Sequence, residues 1–200
     1  MCVVTRTLPP RSLHRNTLSS QLFIRHFFTF GRTHDSSMSY KERRLLGYSQ
    51  IQMYDIAADV GQYADFVPWV TESKVLRKTN SGAMVVRLSV GFPPLHESYT
   101  STVTLEKPGS VISIAHTTNI FEYLINEWHF WPGLVNNPNT CTVEFFVKFE
   151  FKSPIYAKVT GLFFDQLVTT MVNSFLDRAK VLHGPSSIAP QKPEVLLYKK

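Results

Sequence analysis

From residue 83 to residue 152, apolar side chains recur mostly at every second position; after Pro154 they recur at every third or fourth. The first pattern belongs to half-buried strands and the second to an amphipathic helix. Met84, Val86, Leu88, Val90 and Phe92 share one face, against Arg87 and Ser89 on the other. Tyr99, Ser101, Val103 and Leu105 oppose Thr100, Thr102, Thr104 and Glu106. Val143, Phe145, Val147, Phe149 and Phe151 oppose Thr142, Glu144, Lys148, Glu150 and Lys152. One-sided sheets of this kind are antiparallel, with one face wet and the other covered. The cover must be the helix. Phe164, Val168, Met171, Phe175, Ala179 and Leu182 form its apolar stripe, and Lys158, Asp165, Thr169, Asn173, Asp177 and Lys180 form the polar one. Ser153 and Pro154 suit its start, and Gly184–Pro185 its end. At 1.5 Å per residue it runs about 40 Å, enough to cross a whole sheet.

Turn residues divide the rest of the chain. Residues 43–49 read as a first short strand. Residues 50–67, broken at Gly61 and closed by Pro68, read as two short helices. Strands follow over 70–78, 83–92, 96–107, 110–118, 123–131 and 140–152. The expected fold is therefore α+β: a curved antiparallel sheet of about seven strands wrapped around a long C-terminal helix, with two short helices after the first strand. Residues 186–200 read as a loosely ordered tail.

The N-terminal segment has a different character. Residues 1–34 hold arginines, serines, threonines and scattered apolar residues, and no acid. That composition is expected of a mitochondrial transit peptide, here assigned to 1–38, leaving 39–185 as the folded domain. Its five arginines face only Asp35, so residues 1–38 carry +4 of the formal +6. A nucleic-acid groove needs its basic residues clustered on the folded body, so nucleic acid is not an expected partner. The longest apolar run, 22–30, is interrupted by Arg25 and is too short to span a bilayer. The two cysteines, Cys2 and Cys141, do not suggest a disulfide framework.

Chemistry-bearing motifs are sparse. His14, His26 and His34 lie in the leader, and His96, His116, His129 and His183 fall in separate elements. No metal-ligand spacing, nucleophile elbow or phosphate-binding loop stands out, so no catalytic residue, metal or catalytic cofactor is expected. Tyr99, Ser101, Asn126 and His116 are the few polar residues on inward faces. A buried structural role is expected for Cys141.

Six segments, in order, carry a resemblance: Tyr63-Ala-Asp-Phe66-Val-Pro68-Trp69, Arg87-Leu-Ser-Val-Gly91-Phe92-Pro93-Pro94-Leu95, Glu97-Ser-Tyr99-Thr-Ser101, Trp128-His-Phe130-Trp-Pro132-Gly133, Phe149-Glu-Phe151-Lys-Ser153 and Leu162-Phe163-Phe164-Asp165. In this order and spacing the chain resembles the coenzyme Q-binding protein family of the START-like (polyketide cyclase and lipid transport) superfamily, over roughly residues 40–185. Two positions depart from the family pattern: Val70 stands where a Cys is usual, and His129 where an Arg is usual. The latter weakens any anionic contact there.

The resemblance implies a START-like helix-grip domain that binds ubiquinone and serves as a carrier or chaperone for respiration and quinone synthesis. It also implies peripheral contact with the matrix side of the mitochondrial inner membrane, and respiratory or quinone-synthesis enzymes as partners. The expected pocket is lined by Phe66, Val67 and Trp69 after the short helices, and by Leu88, Val90 and Tyr99 from the first half of the sheet. Leu124, Asn126, Trp128, Phe130, Phe145 and Phe149 come from the second half, and Phe164, Val168, Met171 and Phe175 from the long helix. Phe92 and Leu95, flanking the double proline, are expected to touch the membrane. The competing readings are a cyclase or aromatase on the same fold, and a ribosome-associated protein like bacterial relatives of the family.

Overall fold

A computed structural model describes residues 37–92, 95–116 and 118–200. Residues 1–36 of the segment expected as a transit peptide lie outside the described residues, whereas Met38, at its expected end, already belongs to the first strand. Twelve elements follow one another: β1 (Met38–Leu46), α1 (Gln50–Ala58), a 3-10 turn (Val60–Gln62), α2 (Tyr63–Phe66), β2 (Val70–Lys78), β3 (Met84–Phe92), β4 (Leu95–Glu106), β5 (Ser110–His116), β6 (Phe121–Pro132), β7 (Cys141–Phe151), α3 (Pro154–His183) and β8 (Glu194–Lys199). The sheet is antiparallel, in the order β2-β3-β4-β5-β6-β7-β1-β8.

Strands β2 to β7 are consecutive hairpin neighbours, which is the least demanding way to order them. The first strand then returns beside β7, with Met38 opposite Phe149 and Leu46 opposite Cys141. It starts five residues earlier than its sequence pattern suggests. Its segment, Met-Ser-Tyr-Lys-Glu-Arg-Arg-Leu-Leu, is too charged to read as a strand. The charge is tolerated because it is paired: the buried Glu42 carboxylate accepts from Tyr40 (2.6 Å) and meets Arg44 (2.8 Å). Ser49 does not extend the strand but caps α1. Its side chain accepts from the Gln52 amide, and Gln52 reaches back to the Ser49 N–H at 2.8 Å.

An eighth strand is the second departure. Within the segment read as a loosely ordered tail, Glu194–Lys199 pairs with the free side of β1. The Tyr198 hydroxyl also bonds the Asp165 carboxylate on α3. The pairing register shifts once in β1–β8, twice in β2–β3 and once in β6–β7, and such breaks in a ladder bend and twist the strands that carry them.

The helix α3 lies over the inward face, as its stripe requires. Tyr156 meets Phe151, Phe164 meets Phe149, and Phe175 meets Trp128. The helix therefore starts beside the end of β7 and passes over β6 at Trp128, and the Gly184 carbonyl just after it accepts from the Tyr48 hydroxyl. It is broken once, at Phe163 (φ −128°, ψ 19°). Among the described residues, no helix is long and apolar enough to cross a membrane.

Candidate functional site

Helix and sheet do not close fully on one another. Between them lies a mainly apolar cavity of about 140 Å³. Strand parity builds one wall. Leu88 and Val90 come from β3, Tyr99 from β4, Val111 and Ser113 from β5, Leu124, Asn126 and Trp128 from β6, and Val147, Phe149 and Phe151 from β7. Thr160, Leu167, Met171 and Phe175 of α3 form the opposite wall. Val60, Tyr63 and the stretch Val67-Pro68-Trp69-Val70 close one side.

Of the expected pocket residues, Val67, Trp69, Leu88, Val90, Tyr99, Leu124, Asn126, Trp128, Phe149, Met171 and Phe175 reach this cavity. Five do not. Phe66 turns outward, edge-on to Tyr63 and Phe175, with the Arg178 guanidinium over its ring at 5.3 Å. Phe130 lies behind Trp128, edge-on to Tyr54, and Phe145 packs between Trp128 and Tyr40. Phe164 spans from Phe149 to Tyr198. Val168 is buried but sits about 60° around the helix from Met171, at 100° per residue. The side chains of Phe92, Leu95 and His116 lie outside the described residues. Inward-facing Ser101 is buried beside the wall rather than on it.

Several cavity residues escaped the sequence pattern. Phe121 faces inward because a register shift between Phe121 and Tyr123 breaks the parity of β6. Phe151 and Val147 share the inward parity of Phe149, so their signal was present. Thr160 stands four residues before Phe164, where the helical stripe asks for an apolar residue.

Trp69 holds its place at a conformational cost. Its φ is 64°, in the left-handed region that a bulky side chain seldom adopts. Neighbouring bonds fix it there: the Val70 N–H donates to the Val67 carbonyl (3.2 Å), and the Gly91 N–H donates to the Trp69 carbonyl (2.8 Å). Non-glycine residues in strained conformations cluster at ligand sites. Trp69→Gly should therefore cost less stability than Trp69→Ala, by about 1 kcal/mol, since glycine alone relieves the strain. Urea midpoints of the two variants check this; an Ala variant at least as stable as the Gly variant would show that the backbone is not strained.

The site offers little for acid–base chemistry near neutral pH. Among the described cavity residues only Tyr63 and Tyr99 titrate, and burial pushes both phenols well above their ordinary range. The Tyr63 hydroxyl is committed to the Ala57 carbonyl at 2.6 Å. Cys141 is fully buried, and burial pushes its thiol up to about 12, so it carries no thiolate at neutral pH. No group of His, Cys, Asp and Glu among the described residues could hold a metal. His129 belongs to the outward face of β6, where its Nε2 lies 3.1 Å from Glu127 and its ring stacks on Trp131. Val70, by contrast, is on the cavity wall.

Comparison with known proteins matches this architecture. The family described as polyketide cyclase / dehydrase and lipid transport covers residues 46–176. The mitochondrial coenzyme Q-binding protein COQ10 of Drosophila melanogaster is 41% identical over 175 residues, 88% of this chain and 72% of that protein. The ribosome association toxin RatA of Vibrio cholerae is 31% identical over 140 residues, 70% of this chain and 94% of that one. Among solved structures, the Zhui aromatase/cyclase from Streptomyces sp. R1128 superposes with a TM-score of 0.62 at 15% identity, over 76% of this chain and 99% of that one, a likeness of fold alone. The chain belongs to the coenzyme Q-binding protein family, within the polyketide cyclase / dehydrase and lipid transport family.

Proposed function

We propose that this chain binds ubiquinone, seating its head ring in the cavity between α3 and the sheet, and acts as a non-enzymatic carrier or chaperone for the quinone. The carrying observation is a partly open, mainly apolar cavity with a few polar groups, in a chain whose relative is named for binding coenzyme Q. Size limits what enters. A cavity of about 150 Å³ holds benzene, so this one, at about 140 Å³, takes the six-membered ring itself and not also all its methoxy groups or a long isoprenoid tail. The tail must leave through an opening, or α3 must move to admit it.

Energetics fit a carrier. Each buried tail methylene gains about 0.8 kcal/mol relative to water, but the bilayer offers the same gain. The tail's net preference for protein over membrane is therefore near zero, and selection falls to the head ring. Such binding is weak and reversible, as exchange with a membrane requires.

Trp69 and Trp128 both line the cavity, while Trp131 is half-exposed on the outward face. Titration with a short-tailed ubiquinone should quench the first two saturably and leave Trp131 unquenched. Quenching that rises linearly without saturation would count against a ubiquinone site.

The reading places the protein in mitochondria, peripheral to the matrix face of the inner membrane, near respiratory and quinone-synthesis enzymes. The acid-free leader supports import. Because Met38 already pairs with Phe149 in β1, processing should occur before Ser37. N-terminal sequencing of the organellar protein checks this, and an intact Met1 would defeat it. The Vibrio relative favours ribosome association as a second reading. That reading requires cosedimentation with ribosomes and no saturable quenching by ubiquinone.

A further inference from the structure

Thr160 is 1% exposed, and its hydroxyl has no hydrogen-bond partner. A buried donor left unpaired is destabilising, so its retention needs a reason. A helical threonine ordinarily has a local remedy, bonding the carbonyl three or four residues back. Here those carbonyls belong to Tyr156 and Ala157, and Thr160 bonds neither. Its position is equally unusual. Four residues before Phe164, it falls on the helix face that carries Leu167, Met171 and Phe175 into the cavity. A chain selected only for a packed core would place an aliphatic residue there.

The opposite wall carries polar groups among apolar neighbours. Ser113 on β5 pairs directly with Asn126 on β6, and both line the same cavity. Directly opposite residues on adjacent strands have side chains close enough to act together. Phe149, Leu124 and Val147 surround them on the sheet wall. The cavity thus has polar groups on two facing walls and apolar surface between.

Resting on the ubiquinone reading above, we infer that Thr160 is a specificity-determining residue: its hydroxyl donates to an oxygen of the bound ring, and Ser113 and Asn126 receive the ring's other oxygen-bearing edge. A ring with oxygens on opposite edges satisfies both walls at once. A hydrocarbon chain or unsubstituted ring of similar size would leave Thr160 unpaired. Choice of ligand therefore rests on oxygens placed across a ring rather than on apolar area, which every lipid can supply.

The test uses the full chain and measures the affinity of a short-tailed ubiquinone by tryptophan quenching, and that of an alkylbenzene of equal tail length by its displacement of the bound quinone. Wild type is compared with Thr160→Val, which keeps the shape, and Thr160→Ser, which keeps the hydroxyl. Thr160→Val should weaken ubiquinone about 3- to 10-fold, the worth of one hydrogen bond. It should leave the alkylbenzene unchanged and keep the ligand-free melting temperature at or above that of wild type. Thr160→Ser should retain wild-type ubiquinone affinity. Equal affinities of wild type and Thr160→Val for ubiquinone would overturn the role of Thr160 alone. Equal weakening of both probes would do the same, by showing a loss of packing. No saturable quenching of the wild type by ubiquinone would overturn the ubiquinone reading itself, and this inference with it.

Discussion

Trp128→Ala should lower stability by about 3–5 kcal/mol, a large part of the 5–15 kcal/mol typical of a domain. Trp128 is only 2% exposed, and its ring lies 4.4 Å from Phe175, 4.6 Å from Phe145 and 6.3 Å from Phe130, centroid to centroid. It is thus both cavity wall and the link that fastens α3 to β6 and β7. Removing it enlarges the cavity and takes away the ring contact between Phe175 of the helix and the sheet in one step. Loss of quinone from this variant would therefore report unfolding as much as a missing contact. Denaturant midpoints settle the magnitude, with Trp128→Phe as the milder comparison. A loss below about 1 kcal/mol for the Ala variant would show that the aromatic cluster does not hold the helix down.

Ser113→Phe should have the opposite profile, abolishing ligand binding while barely changing stability. Overpacking a filled core costs about 1–3 kcal/mol, but Ser113 borders open space. A phenyl ring there occupies the volume of one six-membered ring, which is nearly all that about 140 Å³ provides. Ubiquinone affinity should fall by more than about 100-fold, equivalent to roughly 3 kcal/mol. The melting temperature should stay within a few degrees of wild type. A variant that still binds normally would mean that ubiquinone sits elsewhere. One that unfolds would mean that the space is not available to a side chain.

Much of this architecture is legible in the sequence because one physical rule dominates each part. Strands β3, β4 and β7 face water on one side, so period two survives in their side chains. Helix α3 covers a sheet, so its stripe keeps period 3.6. Legibility fails where a distant partner overrides the local pattern. Strand β1 reads as charged because its Lys41 and Arg43 meet their partner, Glu144, only once β7 is alongside. Strand β8, Glu-Val-Leu-Leu-Tyr-Lys, has no clean alternation, and its partner β1 lies at the far end of the folded chain.

The site follows the same logic. Alternation puts Leu124, Asn126 and Trp128 on one face, and they do reach the cavity. It cannot say which buried aromatic residue meets open space and which meets another ring. Phe130, Phe145 and Phe164 look like pocket residues in sequence, yet tertiary neighbours fill the space around them. Thr160 fails in the other direction. Read by residue type it is polar and so excluded; read by position it belongs to the inward stripe. Its unpaired hydroxyl becomes visible only when the helix is seated on the sheet.

The ligand assignment is open to one direct measurement. The protein is purified from the organelle it occupies, without added lipid, extracted with organic solvent, and its bound lipid identified by mass spectrometry. The expected result is ubiquinone as the main extracted species, reduced to background in Ser113→Phe prepared in parallel. An extract of phospholipid without prenylated quinone, or equal quinone from the two proteins, would contradict the assignment of ubiquinone to this cavity.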